Sequence, residues 1–458
     1  MRRLVLSFLL LTLALAPVGM AAEKPQWAAP DANIVLVSLD ACRARNMSLY
    51  GYERKTTPHL EKFASRAVVF QQAITPGSWT LPATMSIFTG LYPSVHGVIN
   101  KYLLFGDKLL PSHLNPAIET FPQVLGRHGY KLAAFTGDAG VKSAFGYGRG
   151  FEVYLDDLRF GGMDHSIPPA LTWLEKNKDQ KFFLFLHGYD SHGQYDPPKG
   201  YTRKYAKDYK GALKGGKEEQ GKFREDGLDV RRKGGPDKKP YIEMSAEDRA
   251  FHVGLYDEKI EDVDARLGGF IEQFEKMGLM DKTIFIVLAD HGEEFHEHGY
   301  LDHGPTLYEE LLRVPLLIHF PGQKERVDVK AQVSTLDALP TALDAVGVKT
   351  DKVSNGISLL PVLEGKSDGH TVYSETDYRH ITHRRCIRTP EYKFILTLET
   401  GEKELYNLQK DPDEKENVAT KEAKVAYEME QKLYKWIEDT GQYPDVFTQL
   451  KEPFIMEY

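Results

Sequence analysis

The sequence predicts an α/β protein, a sandwich on a mostly parallel central sheet with a small C-terminal α+β subdomain. Two observations carry this. Four short, almost unbroken apolar runs (Asn33–Leu39, Leu132–Phe135, Phe182–Leu186 and Thr283–Leu288) recur between longer polar stretches. Such runs suit strands covered on both faces, as in parallel sheets. Beyond about Gly369 the pattern becomes short alternating segments, Thr371–Glu375, Tyr392–Leu398 and Glu404–Leu408. These read as an antiparallel sheet, and Lys421–Thr440 reads as a closing helix. Residues 369–458 are therefore expected to form a separate subdomain.

Taken in order, the chain opens with Met1-Arg2-Arg3, an apolar run from Leu4 to Ala16, and small residues up to Ala21-Ala22. A charged start, a short apolar core and a small-residue cleavage site make 1–22 a secretory signal, so the protein is expected to be exported, periplasmic or secreted. The run Asn33–Leu39 ends at Asp40, a carboxylate at the C-terminal edge of a strand, where open α/β sheets bind ligands. The stretch Gly77–Gly97 enters a helix. Thr80 stands where an N-cap hydroxyl belongs and Pro82 suits the first turn. Thr80 has two readings, a cap or a nucleophile, because a hydroxyl there faces unpaired N–H groups that favour an oxyanion. As a nucleophile it needs a base or a metal nearby.

The run Phe182–Leu186 leads into His187-Gly188-Tyr189-Asp190-Ser191-His192, a second candidate cluster. Residues 199–240 turn rich in Lys, Gly, Glu and Asp and are read as an exposed excursion or lid. Tyr256, Ile260, Val263, Leu267, Phe270 and Phe274 recur at helical spacing and are expected in the core. The run Thr283–Leu288 ends in Ala289-Asp290-His291-Gly292-Glu293-Glu294-Phe295-His296-Glu297-His298-Gly299. His303-Gly304, a helix over Leu307–Leu312 and a strand over Leu316–His319 follow.

Of 458 residues, 41% are hydrophobic, enough for one large core and a smaller unit. The net charge is −8 and no long basic run is interleaved with aromatics, so no nucleic-acid partner is expected. No later stretch is long and apolar enough for a transmembrane helix. The two cysteines, Cys42 and Cys386, make no disulfide framework, and their pairing is left open.

Asp40, Asp290 and His291 each follow a buried strand. If those strands are neighbours, the three side chains converge into a site for one divalent cation such as Zn²⁺ or Mn²⁺. A cation beside Thr80 would lower its hydroxyl pKa and neutralise charge on a bound ester.

With these pieces assembled, the chain resembles the sulfatase branch of the alkaline phosphatase superfamily. The matching motifs are Leu39-Asp40 with Leu49-Tyr50-Gly51-Tyr52, then Thr80-x-Pro82-Ala83 ahead of Phe88-Thr89-Gly90 and Tyr92-Pro93-x-x-His96-Gly97, then Asp190-Ser191-His192. Ala289-Asp290-His291-Gly292-Glu293, Leu307-Tyr308-Glu309-Glu310 with Arg313-Val314-Pro315, and Glu404-Leu405-Tyr406-Asn407-Leu408 with Asp411-Pro412 complete the set. The resemblance implies an α/β/α sandwich, a catalytic domain over 23–368, and a metal at the sheet's C-terminal edge.

Three departures accompany it. Sulfatases of this kind carry a Cys or Ser, matured to formylglycine, within Cys/Ser-x-Pro-x-Arg; here Thr80 and Thr84 take the first and last positions, so that maturation is not expected. The acidic pair after the first strand is Asp40-Ala41. The Asp-Asn of a sulfatase calcium site is Asp290-His291, and a nitrogen ligand moves preference toward Zn²⁺ or Mn²⁺, with Ca²⁺ still admitted. These changes resemble the phosphoester-processing relatives.

The expected roles follow. Thr80 attacks and also contacts the metal held by Asp40, Asp290 and His291. His192 and His303 bind non-bridging oxygens or protonate the leaving group, and the resemblance sets His303 near the position of a sulfate-binding Lys. His298, His187 and His96 are read as structural or supporting. The expected activity is hydrolysis of a phosphate mono- or diester, on a small-molecule or a glycan- or lipid-linked anionic substrate. A threonine sulfate ester lacks the exit open to a formylglycine hydrate, whereas a threonine phosphate can be resolved by water. Sulfate-ester hydrolysis, a phosphoethanolamine-type transferase and a non-catalytic binding protein are the alternatives.

Overall fold

The computed structural model describes residues 27–105, 108–137, 140–157, 160–195, 203–232 and 244–441. The expected signal at 1–22 lies outside them. At the centre is a nine-stranded sheet. In chain order its strands are β1 Asn33–Leu39, β2 Val68–Ile74, β3 Lys131–Phe135, β4 Val153–Leu155, β5 Phe182–Gly188, β6 Thr283–Ala289, β7 Arg313–Val314, β8 Leu316–His319 and β9 Val327–Ser334. Across the sheet the order is β7-β2-β8-β6-β1-β5-β3-β4, with β9 beside β2. Strands β6, β1, β5, β3 and β4 run parallel, while β8 is antiparallel to both of its neighbours. This is the mostly parallel sheet that the apolar runs predict.

Successive side chains of a strand point to opposite faces, and the two faces here carry separate cores. Ile34, Leu36, Phe183, Phe185, Ile284 and Ile286 belong to one; Val35, Val37, Leu184, Leu186, Phe285 and Val287 belong to the other. Both faces must therefore be covered, which makes the sandwich. Helix α1, Thr80–Thr89, sends Leu81, Met85 and Phe88 into the first core. Helix α2 spans Lys217–Arg232 and helix α3 spans Ala246–Lys276. The predicted stripe on α3, Tyr256 to Phe274, lies in the second core. The composition of 199–240 suggests little burial, yet α2 buries Gln220, Phe223 and Leu228.

Register decides where the site forms. Leu39 pairs with Gly188 on one side and with Ala289 on the other. Strands β1, β5 and β6 thus end level, and the residues after them, Asp40, Tyr189 and Asp290, emerge at one edge.

The C-terminal part holds a four-stranded antiparallel sheet of β10 Val372–Tyr378, β11 Thr382–Arg388, β12 Tyr392–Thr397 and β13 Lys403–Asn407, in that spatial order. Helix α4, Ala423–Asp439, packs Ala426, Met429, Leu433 and Trp436 on Ile387, Phe394 and Leu405. Strand β11 has no apolar alternation, yet all seven of its residues are buried. Its charges are neutralised in place: Arg385 meets Glu375 and Asp377, Arg388 meets Glu309, and Arg384 meets Glu404. The two parts are stitched beside the site. Ser374 Oγ donates to the Thr75 carbonyl at 2.7 Å, and Thr376 Oγ1 donates to the Gly304 carbonyl at 2.6 Å. The helix expected over Leu307–Leu312 shortens to one turn, Glu309–Leu312. Cys42 and Cys386 are both buried and unpaired. Among the described residues no helix is long and apolar enough to cross a membrane.

Candidate active site

At the level ends of β1 and β6, Asp40, Asp290 and His291 bring one ligand atom each within 4.8 Å of one another. All three are fully buried. Each is oriented by its neighbours. Asp290 Oδ1 accepts the backbone N–H groups of His291 at 2.9 Å and Ala41 at 3.3 Å, which leaves Oδ2 for the cluster. His291 Nδ1 donates to the Gly292 carbonyl at 2.8 Å, which turns Nε2 toward the carboxylates, the usual arrangement of a ligating imidazole. Asp40 Oδ1 is buried without a hydrogen-bond partner. An orphaned carboxylate oxygen beside a second carboxylate and a free imidazole nitrogen fits a divalent cation, since buried charges are otherwise paired.

Thr80 completes the group. Its Oγ1 lies 3.2 Å from His291 Nε2 and 3.5 Å from Asp40 Oδ2. The capping alternative is thereby overturned. The helix begins at Thr80, Trp79 is the cap residue, and no side chain caps the end. The hydroxyl is turned inward to the cluster instead of back onto the first turn's N–H groups. Thr84, one turn along, puts its Oγ1 3.5 Å from Asp290 Oδ2.

The electrostatics are those of crowded charge. Burial pushes the Asp40 carboxyl up, but the imidazoles of His187 and His291 outweigh it and hold Asp40 well below the usual carboxylate range. Burial, with the Asp40 charge beside it, raises the Asp290 carboxyl. His291 is lowered by burial yet raised more by Asp290 and Asp40 together. Two like-charged carboxylates at contact distance disfavour each other's ionisation unless a cation intervenes.

A second cluster adjoins the first. His303 Nδ1 lies 2.8 Å from Glu293 Oε1 and 2.9 Å from Asp302 Oδ1, and its ring centroid is 4.3 Å from that of His291. Burial works against charge on His303, but Asp302 and Glu293 outweigh it and raise its pKa well above the ordinary value. The His192 ring meets His303 edge-on at 4.5 Å and stacks on Tyr189 at 4.0 Å. Burial, helped by His303, lowers His192 to about 3. One imidazole is thus set to carry a proton and its neighbour to stay neutral.

The expected site residues Asp40, Thr80, His192, Asp290, His291 and His303 are therefore all in one place. Asp190, from the same stretch as His192, turns away and accepts the Met163 N–H at 2.8 Å. His187 lies beside the candidate metal ligands, with Nε2 3.3 Å from Asp40 Oδ2. His96 is engaged with Ser86 Oγ, 3.1 Å away, and with the Val98 N–H. His298 stacks on Tyr308 and reaches the Glu414 carbonyl, away from Thr80. Sequence reasoning missed Asp302, Glu293 and Thr84. A cue to Asp302 was present: Leu301-Asp302-His303-Gly304 repeats the pattern of Ala289-Asp290-His291-Gly292.

Comparison with known proteins gives the same frame. The model of the family described as Sulfatase matches residues 32–348, and that described as N-sulphoglucosamine sulphohydrolase, C-terminal, matches 296–439. Rat Arylsulfatase K is 24% identical over 519 residues, covering 99% of this chain and 86% of its own. The mouse protein of that name is 31% identical over 220 residues, covering 45% of this chain and 39% of its own. A putative sulfatase from Bacteroides thetaiotaomicron shares the fold with a TM-score of 0.74 at 21% identity, over 92% of this chain and 94% of that one. The phosphonate monoester hydrolase of Agrobacterium radiobacter does so with a TM-score of 0.69 at 21% identity, over 89% and 96%.

Proposed function

The chain belongs to the sulfatase family, and from that premise we propose that this ester hydrolase cleaves a phosphate mono- or diester through a covalent intermediate on Thr80. The observation that carries the reading is the hydroxyl of Thr80 lying 3.2 Å from His291 Nε2 and 3.5 Å from Asp40 Oδ2. A threonine cannot mature to formylglycine, so the residue at the nucleophile position has only its hydroxyl to offer. Asp40, Asp290 and His291 would hold one divalent cation, with zinc or manganese preferred over calcium for the imidazole ligand. That cation would lower the Thr80 hydroxyl pKa and neutralise charge on the ester.

In the reaction, Thr80 Oγ1, its proton given up to water before the attack, forms its bond to phosphorus while the bond to the leaving oxygen breaks. A protonated His303 gives its proton to that oxygen, or holds the non-bridging oxygens while His192 orients the group. Water then attacks the phosphothreonine in line: the bond from phosphorus to Oγ1 breaks, Oγ1 takes back the proton that water gives up, and phosphate leaves from a monoester or the remaining phosphomonoester from a diester. The helix α1 start presents its free N–H groups to the same negative charge. The organic part of the substrate stays open among small-molecule, glycan-linked and lipid-linked esters. Export rests on the 1–22 pattern, and N-terminal sequencing of the mature protein that begins at Glu23 would support it.

Sulfate-ester hydrolysis is the second reading, favoured by the arylsulfatase relatives. The experiment is hydrolysis of matched aryl phosphate, phosphodiester and sulfate esters, with metal analysis of the same preparation. Phosphoester turnover with zinc or manganese supports the proposal. Sulfate turnover with calcium would overturn it.

A further inference from the structure

We propose that Arg224 and Arg379 form a subsite for a second oxyanion, a carboxylate or sulfate on the organic part of the substrate. The proposal rests on Thr80 marking the reacting centre, but not on which ester is cleaved there.

A closed chain of contacts links the site to both arginines. From Thr80 it passes to His291 at 3.2 Å, across the facing rings to His303, and on to Asp302. Arg224 Nη1 lies 3.5 Å from Asp302 Oδ2, and its Nη2 lies 3.2 Å from Glu225 Oε1. Arg379 Nη1 is 3.6 Å from the same Glu225 oxygen. The Arg379 guanidinium sits 5.1 Å over the Tyr378 ring. Tyr378 packs edge-on against Trp79 at 5.3 Å, and Trp79 precedes Thr80. The two cations thus lie on the one contact chain that starts and ends at the nucleophile. They arrive from different elements, Arg224 from α2 and Arg379 from the turn between β10 and β11.

Three features give this pair a ligand. Arg224 Nε is buried without a hydrogen-bond partner, and a guanidinium held that way has a donor to spare in a rigid fork suited to oxyanions. The Trp79 indole N–H beside the nucleophile also lacks an acceptor. Glu225, 48% exposed, shows the stereochemistry directly, because one carboxylate oxygen sits between both guanidinium groups. A substrate oxyanion would take the place of this exposed carboxylate. Asp302 is held in place at both oxygens, Oδ1 at 2.9 Å from His303 and Oδ2 at 3.5 Å from Arg224 Nη1, which leaves the exposed Glu225 as the displaceable anion.

The test uses aryl esters of one scissile group with and without a carboxylate on the ring, and a third ester bearing a sulfonate. The readout is the ratio of kcat/KM for the charged ester to that for the uncharged one, so leaving-group differences cancel between variants. Arg224→Gln and Arg379→Gln should each lower this preference roughly tenfold, the weight of one charge-assisted bond. Glu225→Gln should raise it by removing the competing carboxylate. A response to the carboxylate alone assigns a planar group, and an equal response to the sulfonate assigns a general oxyanion site. An unchanged ratio in Arg224→Gln and Arg379→Gln, or a lowered one in Glu225→Gln, overturns the proposal. Should Arg224→Gln not fold, the two surface variants still decide it. Absence of turnover on every ester in the unmodified protein would count against the Thr80 reading instead.

Discussion

Gly140 has no side chain where Thr80 needs room. A Cβ there would lie 2.9 Å from Thr80 Cβ and 3.1 Å from the Leu81 nitrogen, closer than carbon atoms approach without displacement. The glycine lets the backbone press against the threonine and hold its hydroxyl on the cluster. Gly140→Ala is expected to destabilise the fold by about 1–3 kcal/mol. It should also lower kcat by about a hundredfold, with a smaller change in KM, since small misplacements of a reacting group cost that much. Steady-state kinetics beside a denaturation curve would check this; an intact kcat would mean that Thr80 does not need this support. His291 answers a different question. His291→Asn restores the oxygen ligand of a calcium-type site, so zinc affinity should fall at least about tenfold, the loss that even an outer partner's removal brings. Competitive metal titration would read this, and unchanged zinc binding would remove His291 from the ligand set.

At the scale of the element, legibility followed burial pattern. Strands β1, β5 and β6 were readable because both of their faces are apolar, and a sequence shows that as an unbroken run. The ends of those runs carry the candidate site, so Asp40, Asp290 and His291 were readable with them. Strand β11 was not, because Thr382-His383-Arg384-Arg385-Cys386-Ile387-Arg388 looks like surface until its ion partners are known. Helix α2 was hidden for a related reason: its few apolar residues are spread thinly, and its burial depends on what it meets. The buried charges can be tested directly. Lys393 is fully buried between Glu309 at 3.3 Å and Glu414 at 2.7 Å. Lys393→Met would leave Glu414 without its cation in the interior while Glu309 keeps Arg388 at 2.9 Å, at a cost of about 3–5 kcal/mol. Adding Glu414→Gln should recover part of it, because burial already pushes the Glu414 carboxyl up to about 8. Denaturant unfolding of both variants is the measurement, and a loss below about 1 kcal/mol for Lys393→Met would show that water reaches this cluster.

For the molecule as a whole, the sandwich and the antiparallel sheet form one catalytic frame. The main sheet supplies the metal-type ligands at its level strand ends. The helix start supplies Thr80. Strand β10 braces the loops on either side of it through Ser374 and Thr376. What the sequence hid at this scale was proximity without periodicity. Asp302 stands beside His303 in the repeated Asp-His-Gly pattern, but Glu293 and Arg224 come from a loop and a polar helix whose positions no spacing rule predicts, and only the fold brings them to that pair. Covalent modification of Thr80 is the step on which the proposed reaction depends. The direct measurement is an acid quench during turnover of a phosphorus-labelled aryl phosphate, followed by peptide mapping of the label. The expected result is label on Thr80, absent in Thr80→Ala, which should still bind metal but lose turnover. Steady turnover of the phosphoester by Thr80→Ala, or label on another residue, would contradict it.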